Sequence, residues 1–199
     1  MEENKQLSIK WLWGLLLLRA VDCLLPLFGQ LPLFAGGGYL WTQRAVSLGI
    51  VVCLYLLPGR YRLAGMAKAL SLVCNLMAVA AYPVLNAFGV QLTGLHYAYI
   101  YTALAGASEL LALIAIGLEY VTHAATAPTD RKKWYIFLCC SLAVTLVSSV
   151  AVALVQPVLP DLTVQFIRLW NLGARTLSLA VSVIYMVLLY RIIDTQRKE

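Results

Sequence analysis

The residues whose types and spacing could do chemistry lie in the last hydrophobic segment, Gln165 to Arg191. Arg168, Asn171 and Arg175 recur there at intervals of three and four residues, so they share one face of a helix. An arginine near the middle of a bilayer costs about 2.5 to 3.5 kcal/mol even on the gentlest scale. The stripe must therefore face protein or a wet cavity, and it predicts a site for a polar ligand.

Four charged residues deeper in the hydrophobic segments predict a buried network. Counting helix rise from the span ends places Arg19 at the depth of Glu109, and Asp22 at the depth of Arg175. Left unpaired, four such charges cost on the order of 10 kcal/mol, so we expect the pairs Arg19–Glu109 and Asp22–Arg175 to join the first, fourth and sixth helices. The network could serve a transported solute or only fix the register of the helices.

Further polar residues lie nearer the outer ends of the segments. Arg44 and Arg168 begin the second and sixth segments, Asn171 is a turn deeper, and Asn86 ends the third. Together with Arg175 they are predicted to line an outward-facing pocket that is positive once the deep pairs cancel. Such a pocket suits a small anionic or zwitterionic solute. The alternative is that Arg44 and Arg168 reach towards lipid headgroups.

A weaker polar stripe runs along the third segment. It contains Lys68, Ser71, Asn75 and Tyr82. A single asparagine in such a position more often bonds a neighbouring helix than a ligand. We therefore interpret Asn75 as a contact between helices.

Composition explains why these charges matter. Of 199 residues, 62% are hydrophobic and 12% are charged, whereas charged residues make up about 25% of a soluble domain. The apolar residues form six blocks that can each cross about 30 Å of hydrocarbon. The sequence predicts an all-α, polytopic membrane protein, a single domain of six transmembrane helices. The predicted spans are residues 11–28, 41–57, 63–86, 97–121, 134–156 and 165–191.

The positions of the basic residues predict the orientation in the membrane. Most of the fifteen lysines and arginines lie near the termini or in two loops that alternate with loops lacking them: Lys5, Lys10, Arg60, Arg62, Lys68, Arg131, Lys132, Lys133, Arg191, Arg197 and Lys198. The positive-inside rule then places both termini in the cytoplasm of a cell whose plasma membrane holds the protein. The net charge of +6 thus reflects topology and does not indicate a nucleic-acid partner.

Catalytic signatures are missing from the sequence. The five cysteines lie within hydrophobic segments without a CxxC pair, and His96 and His123 are predicted on opposite sides of the membrane. No HExxH or GxSxG motif is present. We therefore expect no enzyme activity, metal or cofactor. The sequence contains no nucleotide-binding loop either, so ATP-driven transport would need a partner subunit with an ATPase, and a homodimer is the other route to a transport path.

The chain resembles the substrate-binding subunit of energy-coupling-factor vitamin transporters in its size, its six predicted spans, its cytoplasmic termini and the polar residues in the outer half of its spans. The resemblance implies a partner subunit in the membrane. Such subunits usually carry small residues at AxxxA spacing on the first helix, whereas this first span reads Leu15 to Leu18 and then Arg19, Ala20, Val21, Asp22. The competing hypothesis is a non-transport accessory protein, such as an immunity, sensor or assembly factor, in which the buried charges are structural.

Overall fold

In a computed structural model of the protein, the described residues form α-helices joined by short connections. The backbone is described for residues 2–28, 38–89, 94–158 and 163–198, and side chains for residues 8–26, 38–81, 83–89, 96–144, 173 and 176–198. The helices are α1 (Glu2–Phe28), α2 (Gly38–Leu56), α3 (Tyr61–Ala87), α4 (Gly94–Thr126), α5 (Arg131–Val158) and α6 (Thr163–Lys198), with a 3-10 turn at Pro128–Asp130. No strand occurs in these ranges, which confirms the all-helical prediction.

Among the described residues, four segments are long and apolar enough to cross a membrane. They are Gly38–Leu56, Tyr61–Ala81, His96–Thr126 and Thr176–Lys198. Large apolar side chains such as Leu48, Leu70 and Leu110 are exposed on three of them. A water-soluble protein rarely exposes so much contiguous apolar surface, whereas a lipid bilayer solvates it. The fold is therefore compatible with a membrane protein.

The chain divides into two compact units, Met1–Thr122 and His123–Glu199. In the first unit, α2 packs against both α1 and α3. The hairpin between α2 and α3 turns at Pro58 and Gly59, just beyond the end of α2. Gly59 has a φ of 72°, a left-handed conformation that glycine adopts without steric cost.

Close packing brings the backbones of α2 and α3 together beside this hairpin. A methyl group on Gly65 would lie 3.1 Å from the backbone nitrogen of Tyr55 and 3.3 Å from Cβ of Leu54. Only glycine permits that approach without displacing its neighbours. Leu54 and Leu57 are fully buried at the same end of the hairpin, so the apolar contacts here set the register of the two helices.

The second unit is built around an aromatic cluster. Trp134 on α5 is fully buried and stacks on His123, with ring centroids 4.6 Å apart. Tyr185 on α6 and Phe137 on α5 meet the Trp134 ring edge-on. These contacts join α5 to α6, where Leu189 and Ile193 continue the buried face of α6.

Candidate functional site

A cavity of about 290 Å³ lies within the first unit, between α2, α3 and α4. Every residue that lines it belongs to a helix segment able to cross a membrane. Most of the lining side chains are polar even though the surrounding helices are strongly apolar. The lining consists of Leu40, Gln43, Arg44, Ser47, Lys68, Ser71, Leu72, Asn75 and Ser108.

Among the described residues of this lining, the charges are all positive. Arg44 comes from α2 and Lys68 from α3, and none of the described lining residues is a carboxylate. The Arg44 guanidinium lies over the Trp41 ring, 5.4 Å from its centroid, which holds the cation by its attraction to the ring face. Gln43 and Asn75 add amide groups that can donate hydrogen bonds. These cations and hydrogen-bond donors can together bind an anion.

Two serines close one wall of the cavity. The Ser71 hydroxyl donates to the Ser108 carbonyl oxygen at 2.8 Å, and the Ser108 hydroxyl donates to the Ser71 carbonyl oxygen at 2.9 Å. Each hydroxyl has one proton, so both protons are used in this reciprocal pair. Both residues are buried, and the pair joins α3 to α4.

A buried ion pair lies in the same unit. Arg19 on α1 donates to a carboxylate oxygen of Glu119 on α4 at 2.5 Å, with side-chain exposures of 18% and 1%. The predicted pair Arg19–Glu109 is therefore wrong, and Glu109 is exposed. Ten residues separate the two glutamates, which sets them about 15 Å apart along the helix and about 80° apart around it, so one arginine cannot meet both.

Lys68 belongs to this charged group as well as to the cavity. Its ammonium group interacts electrostatically with Arg19, Asp22 and Glu119. The sequence places Lys68 among the basic residues near an inner loop, but α3 begins at Tyr61 and Lys68 is half-buried within the helix. The structure thus brings two cations, Arg19 and Lys68, near two carboxylates, Asp22 and Glu119.

The remaining predicted site residues divide into two groups. Asn86 is exposed and does not line the cavity, because it lies eleven residues, or about 16 Å, beyond Asn75 along α3. The backbones of Arg168, Asn171 and Arg175 are helical within α6, but their side chains lie outside the described residues. The pairing of Asp22 with Arg175 and the share of α6 in the site stay predictions.

The sequence contained a signal for the α3 side of the cavity, which the predicted site did not include. Lys68, Ser71 and Asn75 recur at intervals of three and four residues and so share one face of α3. All three line the cavity. Lys68 lies in the same predicted stripe, one helical turn before Ser71, but the prediction interpreted Asn75 as a contact between helices and did not include the stripe in the site.

The second unit holds two further polar features. The His123 ring nitrogen Nε2 is 3.3 Å from the Tyr185 hydroxyl oxygen. The Lys133 ammonium donates to the Asp130 carboxylate at 2.6 Å, and this hydrogen bond, aided by the Arg191 guanidinium at 3.5 Å, holds the pKa of Asp130 below its ordinary value. No cluster of three metal-ligating side chains occurs among the described residues.

Comparison of the chain with protein-family models, curated proteins and solved structures finds no significant match. The chemistry of the site must therefore be inferred from its own residues.

Proposed function

We propose that this protein binds a small anionic solute in the cavity between α2, α3 and α4 and carries it across the membrane or delivers it to a partner. The observation that supports the proposal is a polar cavity inside apolar helices. The charged side chains among its described lining residues, Arg44 and Lys68, are both cations. An anion offsets the cost of keeping these cations away from bulk water.

The depth of Lys68 favours this function over simple contact with lipid headgroups. Lys68 lies seven residues after Tyr61, about 10 Å from the start of α3. Asp22 and Glu119 act on it electrostatically, but Arg19 opposes them. Arg44 is six residues, or about 9 Å, from the start of α2. With two carboxylates against three cations, the region retains a positive charge that an anionic ligand can neutralise.

The proposed topology has six membrane spans, with α1 and α5 joining the four apolar segments and both termini in the cytoplasm of the cell. The Arg19–Glu119 ion pair supports membrane insertion of α1, because a paired arginine costs less than a bare one. In this orientation Arg44 lies in the outer half of α2. Labelling of single cysteines from either side of intact cells tests the orientation.

Binding to the purified protein tests the proposed function directly. Isothermal titration calorimetry in mild detergent would compare the affinities of the protein for chloride, nitrate, sulfate, phosphate and small carboxylates. Arg44→Gln should weaken binding about tenfold to a hundredfold, because a charge-assisted hydrogen bond is lost. The matched control is Arg62→Gln, which removes an exposed arginine of α3 that does not line the cavity and should leave affinity unchanged.

The competing function is a non-transport accessory protein. The buried Arg19–Glu119 pair supports it, because such a pair can hold helices in register without any solute. The two functions differ at Arg44, which that pair does not need. If the folded protein binds none of the anions, the accessory function is favoured. Purification from native membranes then identifies the partners, and a stoichiometric ATPase with a second membrane subunit would instead favour solute delivery.

A further inference from the structure

The residues that line the cavity extend along two helices. The lining runs from Leu40 to Ser47 on α2 and from Lys68 to Asn75 on α3. Each stretch covers a rise of about 10 Å. A cavity of this length can hold an extended molecule, and the positions of its charges decide what kind.

The hairpin fixes the relative heights of the two cations. Gly65 faces Leu54 across the contact between α3 and α2. Both helices lead away from the hairpin turn beyond this contact. Lys68 is three residues past Gly65, a rise of about 4.5 Å, and Arg44 is ten residues past Leu54, a rise of about 15 Å. Their backbones therefore differ in height by about 10 Å.

The two side chains also lean apart. Each Cα–Cβ bond in a helix tilts towards the N-terminus of that helix. The N-terminus of α2 lies away from the hairpin turn, and the N-terminus of α3 lies beside it. Arg44 thus starts towards one end of the cavity and Lys68 towards the other.

The stretch between the cations is neutral. Ser47 and Ser71 supply hydroxyl groups there, and Leu72 supplies an apolar surface. The Ser71 proton is already donated to Ser108. This middle section suits a short, mostly uncharged chain better than a third ionic group.

We infer that the solute carries two anionic groups joined by a short neutral chain, one bound by Arg44 and the other by Lys68. This inference rests on the proposed anion-binding function and adds the class of ligand. Linear dicarboxylates are the simplest molecules with this chemistry. A single compact anion reaches only one of the two cations at a time.

A length series tests the inference. Isothermal titration of the purified full-length protein would compare dicarboxylates from succinate to suberate with monocarboxylates from butyrate to octanoate. One dicarboxylate should bind about tenfold to a hundredfold tighter than the monocarboxylate of equal length, since it gains a second charge-assisted contact. Arg44→Gln and Lys68→Gln should each remove that advantage, whereas Arg62→Gln should keep it.

Lys68→Arg guards against a folding defect in Lys68→Gln, because it preserves the charge that Asp22 and Glu119 face. Because the side chain leans away from Arg44, its greater length should shift the preferred dicarboxylate to a longer one. Equal binding of dicarboxylates and monocarboxylates would overturn the inference while the anion-binding function stands. The inference would also be overturned if a dicarboxylate still bound tighter than the matching monocarboxylate in Arg44→Gln or Lys68→Gln. Failure of every anion to bind the folded wild-type protein would overturn both proposals.

Discussion

Replacing Glu119 with glutamine should destabilise the folded protein by about 2 to 3 kcal/mol. Glu119 is 1% exposed, and its carboxylate accepts a 2.5 Å hydrogen bond from the Arg19 guanidinium. Breaking a buried ion pair typically costs about 3 to 5 kcal/mol. The lower range applies here because Arg19 keeps 18% of its side chain exposed and the new amide oxygen can still accept a hydrogen bond.

A double-mutant cycle isolates this ion pair from other contacts of the two residues. Arg19→Gln, Glu119→Gln and the double variant would be unfolded in detergent by titration with SDS and followed by circular dichroism. The coupling energy should be about 2 kcal/mol, since neighbouring residues in one network couple by about 0.5 to 3 kcal/mol. The matched control is Glu109→Gln on the same helix, where the exposed carboxylate makes no ion pair with any described side chain.

The outcomes separate the observed pairing from the one that helix depth predicts. Glu109→Gln should change stability by no more than about 0.5 kcal/mol, as is usual for an exposed position. A loss of stability in Glu109→Gln as large as that in Glu119→Gln would refute the observed pairing. Coupling of Arg19 to Glu109 and not to Glu119 would refute it too.

Three further predictions concern packing and charge elsewhere. Ser108→Ala should destabilise the protein by about 0.5 to 1 kcal/mol, because it removes the hydrogen bond to the Ser71 carbonyl oxygen; SDS unfolding measures this, and no change would contradict the reciprocal pair. Trp134→Leu should cost about 3 kcal/mol, because it empties the site of a fully buried ring; an unchanged melting temperature would contradict the packing. Lys133 lowers the pKa of Asp130 in the folded protein. The stabilisation from their contact is therefore complete above the ordinary aspartate pKa of 3.8, and it is lost as the pH falls through the lower pKa of the folded protein. In Asp130→Asn, the free energy of unfolding should therefore depend less on pH below about pH 4. An unchanged pH dependence in that range would argue against the contact.

The outline of the fold was predictable because helix formation in apolar segments depends on local properties. The second span was predicted over residues 41–57 and α2 covers Gly38–Leu56, since Pro58 and Gly59 end a helix in almost any context. The candidate site was predictable only in part. Arg44 lines the cavity and Asn86 does not, because distance along the helix and not polarity decides which residues reach one site.

The sequence by itself determined that the chain is helical, that at least four segments are apolar enough to cross a membrane, and that charged residues interrupt the apolar stretches. Those properties follow from residue type and spacing along the chain. Tertiary structure decided which charges meet. Counting residues measures depth along a helix, but contact depends also on rotation about its axis and on which neighbour packs there. Arg19 therefore meets Glu119, and Lys68 faces the cavity with Arg44, because helix packing turned those faces inward.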